Sequence, residues 1–192
     1  MSVEIVRAEL PARYGEFDIH VARDTRKGEE AVVVSKGRLG KGPLLLRIHS
    51  QCLTGDVFGS QRCDCGPQLH LALRRVASSD CGAVIYLFQE GRGIGIFDKI
   101  RAYALQDAGA DTVDANVRLG LPIDARRYDL AIQVLQHFGV TAVRLMTNNP
   151  EKIREVRQAG ITIVERVPSL TPVATASRDY LRTKRVRMGH LL

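Results

Sequence analysis

Cys52, Cys63 and Cys65 stand in the stretch Cys52-Leu-Thr-Gly-Asp-Val-Phe-Gly-Ser-Gln-Arg-Cys63-Asp-Cys65, and thiols grouped so closely point to a metal. Three thiolates leave one position of a tetrahedral ion open, which is the pattern of a catalytic zinc site, whereas a structural zinc takes four protein ligands. Zinc is the ion that soft thiolates favour in a reducing compartment. Residues two apart in extended backbone project to the same side, so Cys63 and Cys65 can reach one ion while Asp64 turns away. Gly55 and Gly59 give the loop the freedom to bring Cys52 back to them. Three anionic ligands make the metal a weaker Lewis acid than three imidazoles would, so a proton acceptor is expected nearby. His49 precedes Cys52 by three residues and reads as a neighbour of the site rather than a fourth ligand. Redox thiols and inert buried cysteines are the competing readings, and Cys81 reads as a small residue near a turn.

Three further clusters suit an anionic substrate. Glu90-Gly91-Arg92-Gly93-Ile94-Gly95 follows an apolar run, which sets a carboxylate and a guanidinium on a glycine-rich loop at the end of a strand, where α/β sheets bind ligands. It lacks the spacing of a dinucleotide fingerprint. Asp124-Ala125-Arg126-Arg127 reads as the start of a helix, where free amides and Arg126 could meet a phosphate. Equally, Asp124 could be a plain cap and the arginines solvated. In Thr147-Asn148-Asn149-Pro150-Glu151-Lys152 the asparagines are cap residues, but a lysine at the positive end of a helix dipole asks for an anion.

The elements that must hold these groups follow from patterning. Val3–Leu10, Phe17–Ala22, Ala31–Ser35 and Leu44–His49 are short, aliphatic and separated by turn residues, which predicts strands paired antiparallel with their sequence neighbours. Gly66-Pro67 opens a helix with Leu69, Ala72, Leu73 and Val76 on one face. Ala83–Phe88 reads as a buried strand and Ile100–Asp107 as a helix stopped by Gly109. Asp124 is expected to cap a helix striped by Tyr128, Ala131, Ile132, Leu135 and Phe138. A strand at Ala142–Thr147, a helix from Pro150 to Gly160 and a strand at Ile161–Val167 form a parallel unit with a crossover helix. The expected fold is therefore α/β, one domain over residues 1–192 with a mixed sheet flanked by helices, and with a tail at about 168–192 that is free to move.

Composition narrows the function. With 192 residues and 45% hydrophobic content the chain can bury one good core. The net charge of +7 comes from 28 basic residues interleaved with 21 acidic ones, and only Arg178 to Arg187 forms a basic block. That favours a polyanionic small substrate, such as a nucleoside triphosphate, over nucleic acid. No secretory leader and no run of about 18 apolar residues is present, so the expectation is a cytoplasmic protein without a membrane. A disulfide framework is disfavoured there.

These motifs in this order resemble the GTP cyclohydrolase II family. The resemblance is carried by Arg47-Ile-His-Ser-Gln-Cys-Leu-Thr-Gly-Asp56, Arg62-Cys-Asp-Cys-Gly66, Gln89-Glu-Gly-Arg-Gly-Ile-Gly95, Lys99-Ile-Arg-Ala-Tyr-Ala-Leu-Gln-Asp107, Leu145-Met-Thr-Asn-Asn-Pro150 and Arg185-Val-Arg-Met-Gly-His190. It implies a homodimer with one zinc per subunit on Cys52, Cys63 and Cys65, converting GTP to a diaminopyrimidinone, formate and pyrophosphate, with magnesium on the triphosphate. By position it makes Arg126 the nucleophile, Asp124 the proton acceptor and Tyr103 the group that positions water at the purine. Nucleotide contacts would fall on Arg47, Ile48, His49, Ser50, Gln51, Gln68, Glu90, Gly91, Arg92, Thr112, Thr147 and Lys152. Gln51 stands where the family commonly has glutamate, which keeps shape and an accepting oxygen but loses the charge. The segment Pro168–Tyr180 also departs from the pattern. Two competing readings remain: a relative that stops at the formamido product, and a zinc-stabilised nucleic-acid binder.

Overall fold

The structure, a computed structural model, describes residues 3–192. Strands β1 (Val3–Ala12) and β2 (Gly15–Asp24) form a hairpin whose register runs from Val3 opposite Asp24 to Ala12 opposite Gly15, leaving Arg13 and Tyr14 as the turn. In β3 (Glu30–Lys36) Ala31, Val33 and Ser35 are buried and alternate with half-buried neighbours, the signature of a strand with one inward face. Asp24 organises the turn before β3, accepting the backbone N–H of Arg26 at 2.9 Å and of Lys27 at 3.3 Å. β4 (Leu44–Ser50) is buried on both faces down to His49, and β5 (Gly82–Leu87) is buried except at Tyr86. Strands β6 (Ala142–Met146) and β7 (Thr162–Val167) complete a seven-stranded sheet in the order β1-β2-β3-β5-β4-β6-β7.

The sheet is mixed. β1, β2, β3 and β5 pair antiparallel in turn, whereas β4 with β6 and β6 with β7 are parallel. This bears out an α/β fold with antiparallel N-terminal strands, but not the pairing of each early strand with the next. β5 lies between β3 and β4. A strand apolar on both faces belongs inside a sheet, so β4 takes β5 and β6 as neighbours instead of closing a hairpin with β3.

The helices are α1 (Leu53–Asp56), α2 (Cys65–Ala77), α3 (Gly95–Asp107), α4 (Thr112–Arg118), α5 (Asp129–His137), α6 (Pro150–Gln158) and α7 (Arg178–Met188). Asn149 caps α6 as its sequence suggests, its side chain accepting the N–H of Glu151 at 2.9 Å. Helix α5 begins only at Asp129, which corrects the expected start at Asp124. Asp124 turns its carboxylate onto Arg126 instead, and the chain from 121 to 128 stays irregular. The predicted stripe survives, with Tyr128, Ala131 and Leu135 buried. Three helices escaped the periodicity: the single-turn α1, α4, capped by Asp111 through 2.8 Å bonds from Val113 and Asp114, and α7 in the basic segment.

The chain divides into two compact units. The first, Met1–His49 with His70–Phe88 and Tyr128–Ser169, holds the sheet, α5 and α6. Its core stacks Leu44, Leu46 and Ile48 of β4 with Val33, Ile85, Leu135, Leu145 and Val156. Truncating one such leucine to alanine costs about 2–5 kcal/mol. The second unit, Ser50–Leu69 with Gln89–Arg127 and Leu170–Leu192, contains Cys52, Cys63 and Cys65, a tight turn at Glu90–Gly93, α3, α4 and α7.

Candidate active site

In the second unit Cys52 sits at the N-terminal end of α1, Cys63 in the following loop and Cys65 at the first turn of α2. The Cys52 backbone N–H donates to Asp56 at 2.9 Å, which ties the ends of the short helix together. The three Sγ atoms lie within 4.8 Å of one another, and Cys52 and Cys63 are 3.6 Å apart. Zinc with Zn–S bonds of about 2.3 Å in a tetrahedron sets its sulfurs about 3.8 Å apart, so the spacing fits one shared ion. Gly55 guards the space. A Cβ there would lie 3.0 Å from the Cys63 sulfur and 3.2 Å from that of Cys52. The glycine assigned to loop flexibility is thus required for clearance, and Gly66 is too, since a Cβ on it would run into the Gly55 carbonyl.

Electrostatics agree with a cation. Cys52 is pushed far below a normal thiol by hydrogen bonds from Cys63 and Cys65, with help from Lys99. Cys63 is raised to about 11, first by its hydrogen bond to Cys52, and Cys65 is driven well up by the same two neighbours and by burial. Three thiols so close cannot all ionise side by side, and a divalent ion removes that conflict. The donor set and the clearance therefore fit zinc.

Asp64 stands outside the three-sulfur group. It is buried, accepts Gln68 Nε2 at 2.5 Å on one oxygen and Lys184 Nζ at 2.9 Å on the other. Lys184 stands 4.9 Å from the centroid of Tyr180, and although burial opposes its charge, Tyr180 and Asp64 raise it to about 12.

Lys99, on α3, is the residue most clearly missed by sequence reasoning. Its ammonium donates to Glu90 at 2.7 Å, Thr54 at 2.9 Å and Cys52 Sγ at 3.2 Å. Burial works against that charge, but Glu90 and the Cys52 sulfur hold it above an ordinary lysine. The available signal was its alignment with Ala102 and Tyr103, one helical turn on, along the inward face of α3. Tyr103 lies beside it, ring centroid 5.7 Å from Nζ, with Arg62 stacked 4.7 Å over the ring. Burial raises its phenol, so it is neutral at physiological pH and can donate a proton.

The glycine-rich turn is wound tightly. Gly91 and Arg92 both take φ of 61°, and a left-handed arginine costs roughly 1–2 kcal/mol. Glu90 is buried, accepting from Gly91 at 2.8 Å and from Leu53 at 2.5 Å besides Lys99. The terminal nitrogens of Arg92 are buried without a hydrogen-bond partner among the described residues, and its guanidinium lies 5.7 Å from the Tyr180 centroid. Such a group asks for an anion. Gly93 packs on the backbone of Ala125, to which a Cβ would come within 3.0 Å, and Ala125 N–H donates to Arg92 O at 2.9 Å. That contact positions the 124–126 segment. Asp124 accepts the backbone N–H of Arg126 at 3.1 Å and its Nε at 2.9 Å, with a further bond from Nη2. Burial would raise the carboxyl, but the Arg126 hydrogen bonds and charge hold it below the usual range.

The remaining expected residues fall as follows. In the first unit Arg47 donates to Met146 O at 3.2 Å, Lys152 is buried and donates to Ile48 O at 2.7 Å, and Thr147 accepts from Asn149 N–H at 3.0 Å. These gather at the carboxyl ends of β4 and β6. Ile48 is core and contributes its carbonyl. His49 stacks on Tyr86 at 5.4 Å, as expected of a packing residue. In the second unit Ser50 has a buried hydroxyl, Gln51 is half-buried and Thr112 opens α4.

Comparison with known proteins gives the same direction. The model of a family described as GTP cyclohydrolase II matches residues 3–168. A GTP cyclohydrolase-2 of Picrophilus torridus is 49% identical over 185 residues, 96% of each chain. One of Acinetobacter baumannii (strain AYE) is 51% identical over 97% of this chain and 94% of its own, and one of Acinetobacter baylyi is 50% identical over 100% and 97%. Matched almost end to end at about half identity, the chain belongs to the GTP cyclohydrolase II family of hydrolases.

Proposed function

We propose that this chain catalyses the zinc-dependent hydrolysis of GTP to 2,5-diamino-6-(5-phosphoribosylamino)pyrimidin-4(3H)-one, formate and pyrophosphate, the opening step of riboflavin biosynthesis. The observation that carries the reading is the cluster of three sulfurs within 4.8 Å of one another, in a chain half identical to relatives named GTP cyclohydrolase-2. Zinc held by Cys52, Cys63 and Cys65 would supply Lewis acidity toward the carbon between the two imidazole nitrogens of guanine. Tyr103, kept neutral by burial, positions water at the purine ring.

Release of pyrophosphate falls to Asp124 and Arg126. An N–P bond forms from the guanidinium to the α-phosphorus as the bond to pyrophosphate breaks, and the displaced proton passes to Asp124, which the geometry already sets on that guanidinium. Water then cleaves the N–P bond. Arg126 is a poor nucleophile unless aligned, because a guanidinium pKa is above about 12. Arg92, its terminal nitrogens buried, suits a phosphate oxygen that arrives with magnesium.

We read the working protein as a cytoplasmic homodimer acting on GTP, with neither nucleic acid nor membrane as a partner. In the second unit Phe58 and Phe97 are 73% and 76% exposed, with Val57, Ile96 and Ile100 beside them in sequence and also exposed, an apolar surface suited to a second copy. No helix among the described residues is long and apolar enough to cross a membrane. The test is one assay of formate and pyrophosphate from GTP, with and without a chelator. Both products should appear, formate should vanish with the metal, and a product that keeps its formyl group would overturn the full reaction.

A further inference from the structure

We propose that Lys99 is a positioning residue whose ammonium partly neutralises the Cys52 thiolate and ties it to Glu90, so that the metal site and the glycine-rich turn are held as one unit. The inference rests on zinc being held by the three cysteines. An ammonium has three N–H donors, and all three are spoken for: Cys52 Sγ at 3.2 Å, Thr54 Oγ1 at 2.9 Å and Glu90 Oε1 at 2.7 Å. Lys99 is 8% exposed and Glu90 also 8%, so neither charge is satisfied by water. A buried lysine survives only against anions, and here the anions are one carboxylate and one sulfur.

The asymmetry is informative. Of the three sulfurs, only that of Cys52 receives a hydrogen bond from an ammonium among the described residues. Three thiolates around a divalent ion carry an excess negative charge that weakens it as a Lewis acid. A hydrogen bond from a cation draws electron density off one sulfur and offsets that loss, one way in which an outer partner tunes a metal through its ligand. The same ammonium anchors Glu90, whose other oxygen accepts the N–H of Leu53, the residue after Cys52. Cys52-Leu53, Glu90 and Lys99 thus form a closed ring of contacts.

The test uses the full chain loaded with cobalt(II) in place of zinc. Wild-type protein should show sulfur-to-cobalt charge-transfer absorption, and its absence would remove the metal reading itself. With that band present, Lys99→Met should move it to longer wavelength, because the sulfur electrons are less stabilised. Zinc release to 4-(2-pyridylazo)resorcinol should become about 10–100-fold easier. Lys99→Gln, a neutral donor in the same space, should shift both in the same direction by less, and it decides the matter if the methionine variant does not fold. A variant with native circular dichroism, a wild-type band and wild-type zinc retention would overturn the role of Lys99 while leaving the metal site intact.

Discussion

Lys184 of α7 donates a 2.9 Å hydrogen bond to Asp64, the residue between Cys63 and Cys65. Both side chains are nearly buried, 11% and 6% exposed, so each needs the other. Asp64→Asn should destabilise the protein by about 3–5 kcal/mol, since it strands a buried ammonium. Adding Lys184→Met should recover part of that loss. Urea denaturation of the four members of this cycle measures the coupling, and simple additivity would deny the pair any special role.

Gly55→Ala is expected to empty the metal site while preserving the fold. Alanine is the better helix former by about 1 kcal/mol, yet its methyl would press on the sulfurs of Cys63 and Cys52 at 3.0 and 3.2 Å. Elemental analysis should find well under half the wild-type zinc per chain, with unchanged circular dichroism. Full occupancy would mean that the loop can yield.

Asp124 makes a prediction about acid. Its carboxyl is held below the usual range by Arg126, so the unfolded chain binds the proton more readily than the folded one. The stabilisation is complete above the unfolded value of about 3.9 and fades as pH falls through the lower folded value. Asp124→Asn should therefore melt earlier than wild type at pH 7, with the gap narrowing below about pH 4. Thermal melts across pH 3–7 check the trend, and a gap independent of pH would refute it.

Two substitutions separate the chemical steps. Cys65→Ser should abolish formate production but leave pyrophosphate release, because ring opening and phosphate displacement use different groups. Arg126→Ala should lose both if the covalent route operates. Retained pyrophosphate would reduce Arg126 to a clamp, and this is read by quantifying both products from GTP.

What could be read from sequence was local. The cysteine trio, the Asn149 cap of α6 and the parallel β6/β7 unit each depend on residues close in the chain or on strong periodicity. Insertion of β5 beside β4 is decided by which strand is apolar on both faces, and that competition is global. Asp124 has the chemistry of a helix cap, but a nearby guanidinium competes for its oxygens and wins. The contacts of Lys99 with Cys52 and Thr54, and of Lys184 with Asp64, were not legible because the partners are remote in sequence. The separation from Lys184 to Asp64 is 120 residues. Gly55 looked like a hinge because clearance around three sulfurs exists only after folding.

The placement of β4 also bears on synthesis. This strand, opening Leu44-Leu45-Leu46, leaves the ribosome before both of the strands that will flank it. Until β5 and then β6 emerge, a nascent chain displays an oily ribbon with two unpaired edges, the kind of surface that sticks to its own copies. Translation speed and chaperone supply should therefore govern how much of this protein reaches the native state.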